Sequence, residues 1–107
     1  MIIDVRLREK HREGMTVESF ESAIFDLLRT NEINYQNIRI PHNHNFTVQI
    51  LCNDREEREH IKHILMDDQH TLCIENDGKR YFPKYVNEIE KVQYRAYRKK
   101  ELWELEE

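Results

Sequence analysis

The order of apolar patterns along this chain predicts an α+β fold: an antiparallel sheet of β-α-β-β-α-β order, with an added hairpin strand and a long C-terminal helix. Three observations carry the prediction. Short runs alternate apolar and polar residues at Ile2 to Arg8, Asn37 to Ile40, Phe46 to Cys52 and Thr71 to Glu75. Thr16 to Arg29 and Asp54 to Met66 instead carry apolar residues at helical spacing, and they follow the first and third of those runs. Asn76-Asp77-Gly78-Lys79 then marks a hairpin into Arg80 to Phe82, because Asp-Gly supplies the left-handed residues of a tight turn.

In the first strand Ile3, Val5 and Leu7 share one face and Asp4, Arg6 and Arg8 the other, so one face packs and the other meets water or a partner. Glu9 to Gly14 is polar and reads as a loop. Thr16 is a suitable N-cap for the first helix, and Met15 can pack on Phe20 as a hydrophobic staple. Val17, Phe20, Ile24, Leu27 and Leu28 form the inner stripe of that helix, with Phe25 off it. Ile38 and Ile40 face the core from the second strand. Pro41-His42-Asn43-His44-Asn45 connects it to the third, where Phe46, Val48, Ile50 and Cys52 share a face.

Asp54 with Glu57 resembles a capping box, and acidic residues fill the first turn of the second helix, as the helix dipole favours. Ile61, Ile64 and Leu65 give that helix a narrow apolar stripe. Leu72 and Ile74 are the expected buried positions of the fourth strand, and Pro83 stops the fifth. Lys84 to Glu107 is helical by pattern, with Asn87 and Glu90 as a second cap. Ile89, Val92, Ala96 and Trp103 follow an a/d-like spacing that Lys99 interrupts. A helix of about 18 residues is about 27 Å long, so it can cross a body of about 13 Å radius of gyration and project beyond it.

These elements give the split-βαβ, ferredoxin-like arrangement, with an expected strand order of 5-4-1-3-2. The length of 107 residues suits a single ferredoxin-like domain over 1–107, with 84–107 as the projecting helix. Charged residues make up 36% and the net charge is −4, which argues against generic, charge-driven nucleic-acid binding. No signal-peptide pattern opens the chain, and no apolar run approaches the roughly 20 residues that span a bilayer. Cys52 and Cys73 are then expected to be reduced thiols, and the protein cytoplasmic. Eight asparagines with many Ile and Lys hint at an AT-rich genome, as in a small bacterial or phage protein.

Three surfaces are candidates for function. The topology brings His11, His42, His44 and His70 to one edge, which implies sensitivity to a metal ion or to mild acid. The open sheet face carries Asp4, Arg6, Arg8, Arg39, Thr47, Gln49, Cys73 and Glu75. Its strand order is similar to that of RNA-recognition modules, which stack bases on aromatics of strands one and three. Here the matching positions are Asp4 or Arg6, and Thr47 or Gln49, so the stacking residues are absent. A nucleic-acid surface would instead use Arg6, Arg8, Arg39 and Lys99.

The third surface is the C-terminal helix, where Tyr94, Tyr97, Trp103 and Arg98 make an interface set of the kind favoured where one end is buried and the other wet. No nucleophile with a base, no phosphate loop and no cofactor motif is present, so the expectation is not an enzyme, and no cofactor. The favoured reading is a cytoplasmic protein-interaction or regulatory module that self-associates, with a nucleic-acid-binding domain as the alternative and no membrane partner.

Overall fold

The computed structural model describes residues 1–106, and the side chains of residues 1–98. Five strands, β1 (Ile2–Leu7), β2 (Asn37–Arg39), β3 (Thr47–Leu51), β4 (Thr71–Asn76) and β5 (Lys79–Tyr81), form one antiparallel sheet. Their order is β2-β3-β1-β4-β5, as expected. The helices are α1 (Val17–Thr30), α2 (Arg55–Leu65) and α3 (Glu88–Glu106), and Glu9–His11 adds a short 3₁₀ turn where a loop was expected. The Cα radius of gyration is 13.6 Å.

Local chemistry explains the boundaries. Thr16 Oγ1 accepts the Ser19 N–H at 3.1 Å, and Asp54 Oδ1 accepts the Glu57 N–H at 2.8 Å, so each helix starts where a side chain satisfies an orphan donor. The Glu57 carboxylate reaches past the cap to the Asn53 N–H, at 2.9 Å, a variation on the capping box. Asp77 and Gly78 both have positive φ, at 51° and 74°, which matches a tight hairpin of the right twist. At the end of α1, Glu32 takes a left-handed φ of 55°, a position where glycine is usual.

The main core lies between the sheet and α1 with α2. Ile3, Val5 and Leu7 of β1 pack with Val48 and Ile50 of β3, Phe20, Ile24 and Leu28 of α1, and Ile61 and Leu65 of α2. Each fully buried side chain of this size contributes about 1.5–3 kcal/mol of transfer free energy. Leu27 is only half-buried, since the helix turns it to the rim of a stripe centred on Phe20, Ile24 and Leu28.

Leu72 and Ile74 are both buried, as expected, but Leu72 is buried on the other face of the sheet. The register between β1 and β4 slips at Arg6/Leu7: Arg6 lies opposite Cys73, but Leu7 lies opposite Thr71. The extra residue reverses the parity of what precedes it, as a bulge does. Thr71 therefore enters the β1 side of the ladder fully buried, and Leu72 turns to a second cluster with Cys73, Val86 and Tyr94. That second cluster lies on the opposite face of the sheet, beneath α3. No helix among the described residues is long and apolar enough to cross a membrane.

Candidate functional site

The α3 helix begins at a reciprocal cap. Asn87 Oδ1 accepts the Glu90 N–H at 2.9 Å, and Glu90 Oε2 accepts the Asn87 N–H at 3.0 Å. The same Glu90 carboxylate accepts both Nε and a terminal N–H of Arg8, at 2.9 and 3.0 Å. Arg8 also donates to the Gln69 and Tyr85 carbonyls, at 3.0 and 3.4 Å. Burial would raise the Glu90 carboxyl, but the Arg8 guanidinium and the Asn87 N–H outweigh it and hold it below the usual carboxylate range.

One turn on, Tyr94 is 3% exposed. Its ring meets the Phe82 ring edge-on at 6.1 Å, and the guanidinium groups of Arg6 and Arg80 lie 4.9 and 4.6 Å from its centroid. Its hydroxyl donates to Glu75 Oε1. Glu75 also forms ion pairs with Arg80 and Arg98, at 3.6 and 3.8 Å, so one sheet carboxylate anchors three side chains. Tyr97 Oη accepts from Asn45 Nδ2 at 2.6 Å, linking the helix to the β2–β3 hairpin.

These contacts revise the expected roles. The sheet face is not open over β1 and β4, because α3 covers it. Arg6 and Arg8 are buried and engaged, and Tyr94 is an internal contact instead of a partner contact. Arg39 remains exposed at the β2 edge, donating to Gln49 Oε1 at 2.9 Å. Arg98 is half-buried against Glu75. Lys99 and Trp103 fall in α3, but their side chains lie outside the described residues.

The outer face of α3 is different. Ile89 is 69% exposed and Val92 59%, and Ala96 is exposed one turn later. Spacings of three and four residues put all three on one stripe, opposite Tyr94 and Arg98. Tyr85 and Tyr97 are also exposed. Four of the seven large exposed hydrophobic residues among those described therefore fall between 85 and 97. A shallow cleft of about 380 Å³ between Lys10 and α3, lined in part by Leu72, Ile89 and Gln93, borders the stripe.

Between α3, the hairpin and the sheet lies a polar cleft of about 230 Å³. Asp4, Arg6, Gln49 and Glu75 contribute its sheet side, His44 and Asn45 the hairpin wall, and Arg98 the helix wall. Burial raises the Asp4 carboxyl; a hydrogen bond from Gln49 lowers it, and the Glu75 charge raises it again. Sequence alternation placed the sheet residues together. It gave no sign that Asn45 would be held by Tyr97, since the link joins positions 52 apart.

The four expected histidines do not converge. His11 and His70 meet, Nδ1 to Nδ1 at 2.8 Å with ring centroids 4.9 Å apart. Burial lowers the His11 pKa, and the charge of His70, then Arg8 and Lys10, lowers it further. His44 instead accepts the Phe46 N–H at its own Nδ1, at 2.9 Å, in a hairpin where Asn45 and Phe46 both have positive φ. His42 is exposed on the same hairpin. Among the described residues no group of three or more His, Cys, Asp or Glu side chains is placed to hold a metal ion. Cys52 and Cys73 are free thiols, both buried. Burial pushes the Cys73 thiol up to about 11, and the Glu75 charge adds to it.

Comparison of the chain with protein-family models, with curated proteins and with solved structures finds no match.

Proposed function

We propose that this chain is a small cytoplasmic protein-interaction module without catalytic activity, and that it works as a homodimer paired through the outer stripe of α3. The exposure of Ile89 and Val92 on a helix whose other face is already docked carries this reading. Burying such a stripe removes apolar surface from water at about 25 cal/mol per Å². A second copy is favoured over a foreign partner by the charges beside the stripe. Glu88 and Arg95 lie seven residues apart on one flank of the helix, and both are exposed. Antiparallel pairing about a twofold axis near Val92 sets Glu88 of each copy near Arg95 of the other. Isologous contacts of this kind are the commonest in homo-oligomers.

The domain itself reads as ferredoxin-like. The order β2-β3-β1-β4, with α1 and α2 packed on one face, supports this, and β5 and α3 are then additions. A nucleic-acid role has less support, because Arg6 and Arg8 are engaged beneath α3. The burial of both thiols keeps them protonated and makes them poor nucleophiles. Light scattering on wild type and on Ile89→Lys/Val92→Lys tests the reading. Wild type should have twice the mass of one chain, and the variant the mass of one chain with unchanged circular dichroism. A wild type that stays monomeric at high micromolar concentration overturns it.

A further inference from the structure

His11 and His70 are joined by a bond that tolerates only some protonation patterns. Their Nδ1 atoms lie 2.8 Å apart, so one must carry a proton and the other a lone pair. The bond ties the 3₁₀ turn after β1 to the loop between α2 and β4. Arg8 spans the same junction. Its backbone N–H donates to the His70 carbonyl at 2.9 Å, and its guanidinium donates to the Gln69 carbonyl and to Glu90 of α3. The histidine pair, the loop and the start of α3 therefore form one connected network.

We propose that this pair is a proton-operated latch, closed at neutral pH and opened in mild acid when both rings are charged, and that its opening loosens the hold of Arg8 on the start of α3. A first added proton can sit on Nε2 of the donor ring and leaves the bond in place. A second puts a proton on both Nδ1 atoms, which then face each other with no acceptor between them. The groups around the pair do not absorb that second charge. Arg8 at the end of β1 and Lys10 on the turn repel it. Glu90, the carboxylate facing the pair from α3, is already paired with Arg8. Asp68, on the His70 loop, accepts the His70 N–H and the Thr71 hydroxyl. The shallow cleft beside the rings is otherwise lined by Lys10, Gly14, Met15 and Gln69, with no carboxylate among the described residues. Opening takes the Gln69 and His70 carbonyls away from Arg8 and leaves its guanidinium oriented by Glu90 and the Tyr85 carbonyl alone. Burial, then His70 and the two cations, hold the His11 imidazole below its ordinary 6.5, so closure is favoured above that value and is lost as pH falls through the lower folded one. The Glu90 carboxyl is held below 4.5, so at pH 5 the pair with Arg8 keeps both charges while the imidazoles take up theirs. Every group in the latch belongs to one copy of the chain, so it stands or falls independently of self-association.

Amide hydrogen exchange on the intact chain at pH 7.5 and 5.0, corrected for the intrinsic pH dependence of exchange, tests the latch. The reporters are the N–H of Arg8, bonded across the junction, and those of Glu90 and Lys91, bonded to Asn87. Their protection should fall by about tenfold or more at the lower pH, while the β1–β3 ladder keeps its own. In His11→Gln/His70→Gln the two amides can still bond each other and neither titrates, so the pH response should vanish; circular dichroism at pH 7.5 checks that this variant folds. A second measurement needs no variant: nitrogen–nitrogen coupling through the shared proton should be present in wild type at pH 7.5 and absent at pH 5.0. Unchanged protection, an equal response in the variant, or a coupling that persists at pH 5.0 overturns the proposal. So does a loss of protection at Arg8 that leaves Glu90 and Lys91 unaffected, or one that spreads to the β1–β3 ladder.

Discussion

Replacing Glu90 with Ala should weaken the fold by about 3 kcal/mol. Arg8 and Glu90 form a paired, two-bond contact with side chains only 5% and 15% exposed. Removing one member of a buried pair typically costs about 3–5 kcal/mol, because the remaining charge stays desolvated. Here Arg8 keeps the Gln69 and Tyr85 carbonyls, which puts the loss near the lower end of that range. The cap at Asn87 is lost as well, and caps contribute about 0.5–2 kcal/mol. Urea titration followed by circular dichroism measures the total. Asn87→Ala serves as the control for the cap alone, at about 1 kcal/mol. Glu90→Ala combined with Arg8→Met should recover much of the loss, since the stranded charge goes too. The depressed Glu90 pKa adds a pH signature. Its stabilisation is present above the unfolded value of 4.5 and fades as pH falls through the lower folded value. A Glu90→Ala loss below about 1 kcal/mol, equal to that of Asn87→Ala, would refute the tether.

Phe20→Ala should cost about 3–5 kcal/mol, because Phe20 is fully buried in the main core; a calorimetric loss under about 1 kcal/mol would place α1 wrongly. His11, held neutral beside His70, should make stability fall as pH drops below the unfolded value of 6.5, because the unfolded chain then binds the extra proton. Thermal melts of wild type and His11→Phe at pH 7.5 and 5.5 measure this, and an equal drop in both proteins would exclude His11. Both cysteines should resist a thiol reagent at pH 8 until urea unfolds the chain, and stoichiometric labelling of the native protein would contradict their burial. Glu32→Gly should raise stability by up to about 1 kcal/mol, as it relieves a left-handed φ at a side-chain-bearing residue.

The elements and caps were legible because they rest on local signals. Thr16, Asp54 and Asn87 each cap the helix that their spacing announces, and Asp77-Gly78 turns the hairpin as its φ preferences require. Strand order followed from the succession of elements. Parity in β4 was not legible: a single bulge at Arg6/Leu7 exchanges the roles of Thr71 and Leu72, and alternation carries no mark of it. The candidate surfaces were legible only in part for a related reason. Glu90 and Tyr94 sit on one side of α3 and Ile89 and Val92 on the other, which the helical period shows. That the polar-aromatic side would dock on Arg8 and Glu75, leaving the aliphatic side outside, depends on partners 82 and 19 residues away. The histidine edge was over-read, since the hairpin uses His44 for its own backbone and turns His42 to solvent.

Charge reversal across the proposed twofold tests the central claim most directly, because it acts on pairing without touching the apolar stripe. Sedimentation equilibrium would compare wild type, Glu88→Arg, Arg95→Glu and the double reversal. The account predicts a wild-type dimer, weaker association for each single reversal, where like charges face each other twice by symmetry, and recovery in the double reversal. Four proteins of the same mass and the same dissociation constant would contradict it.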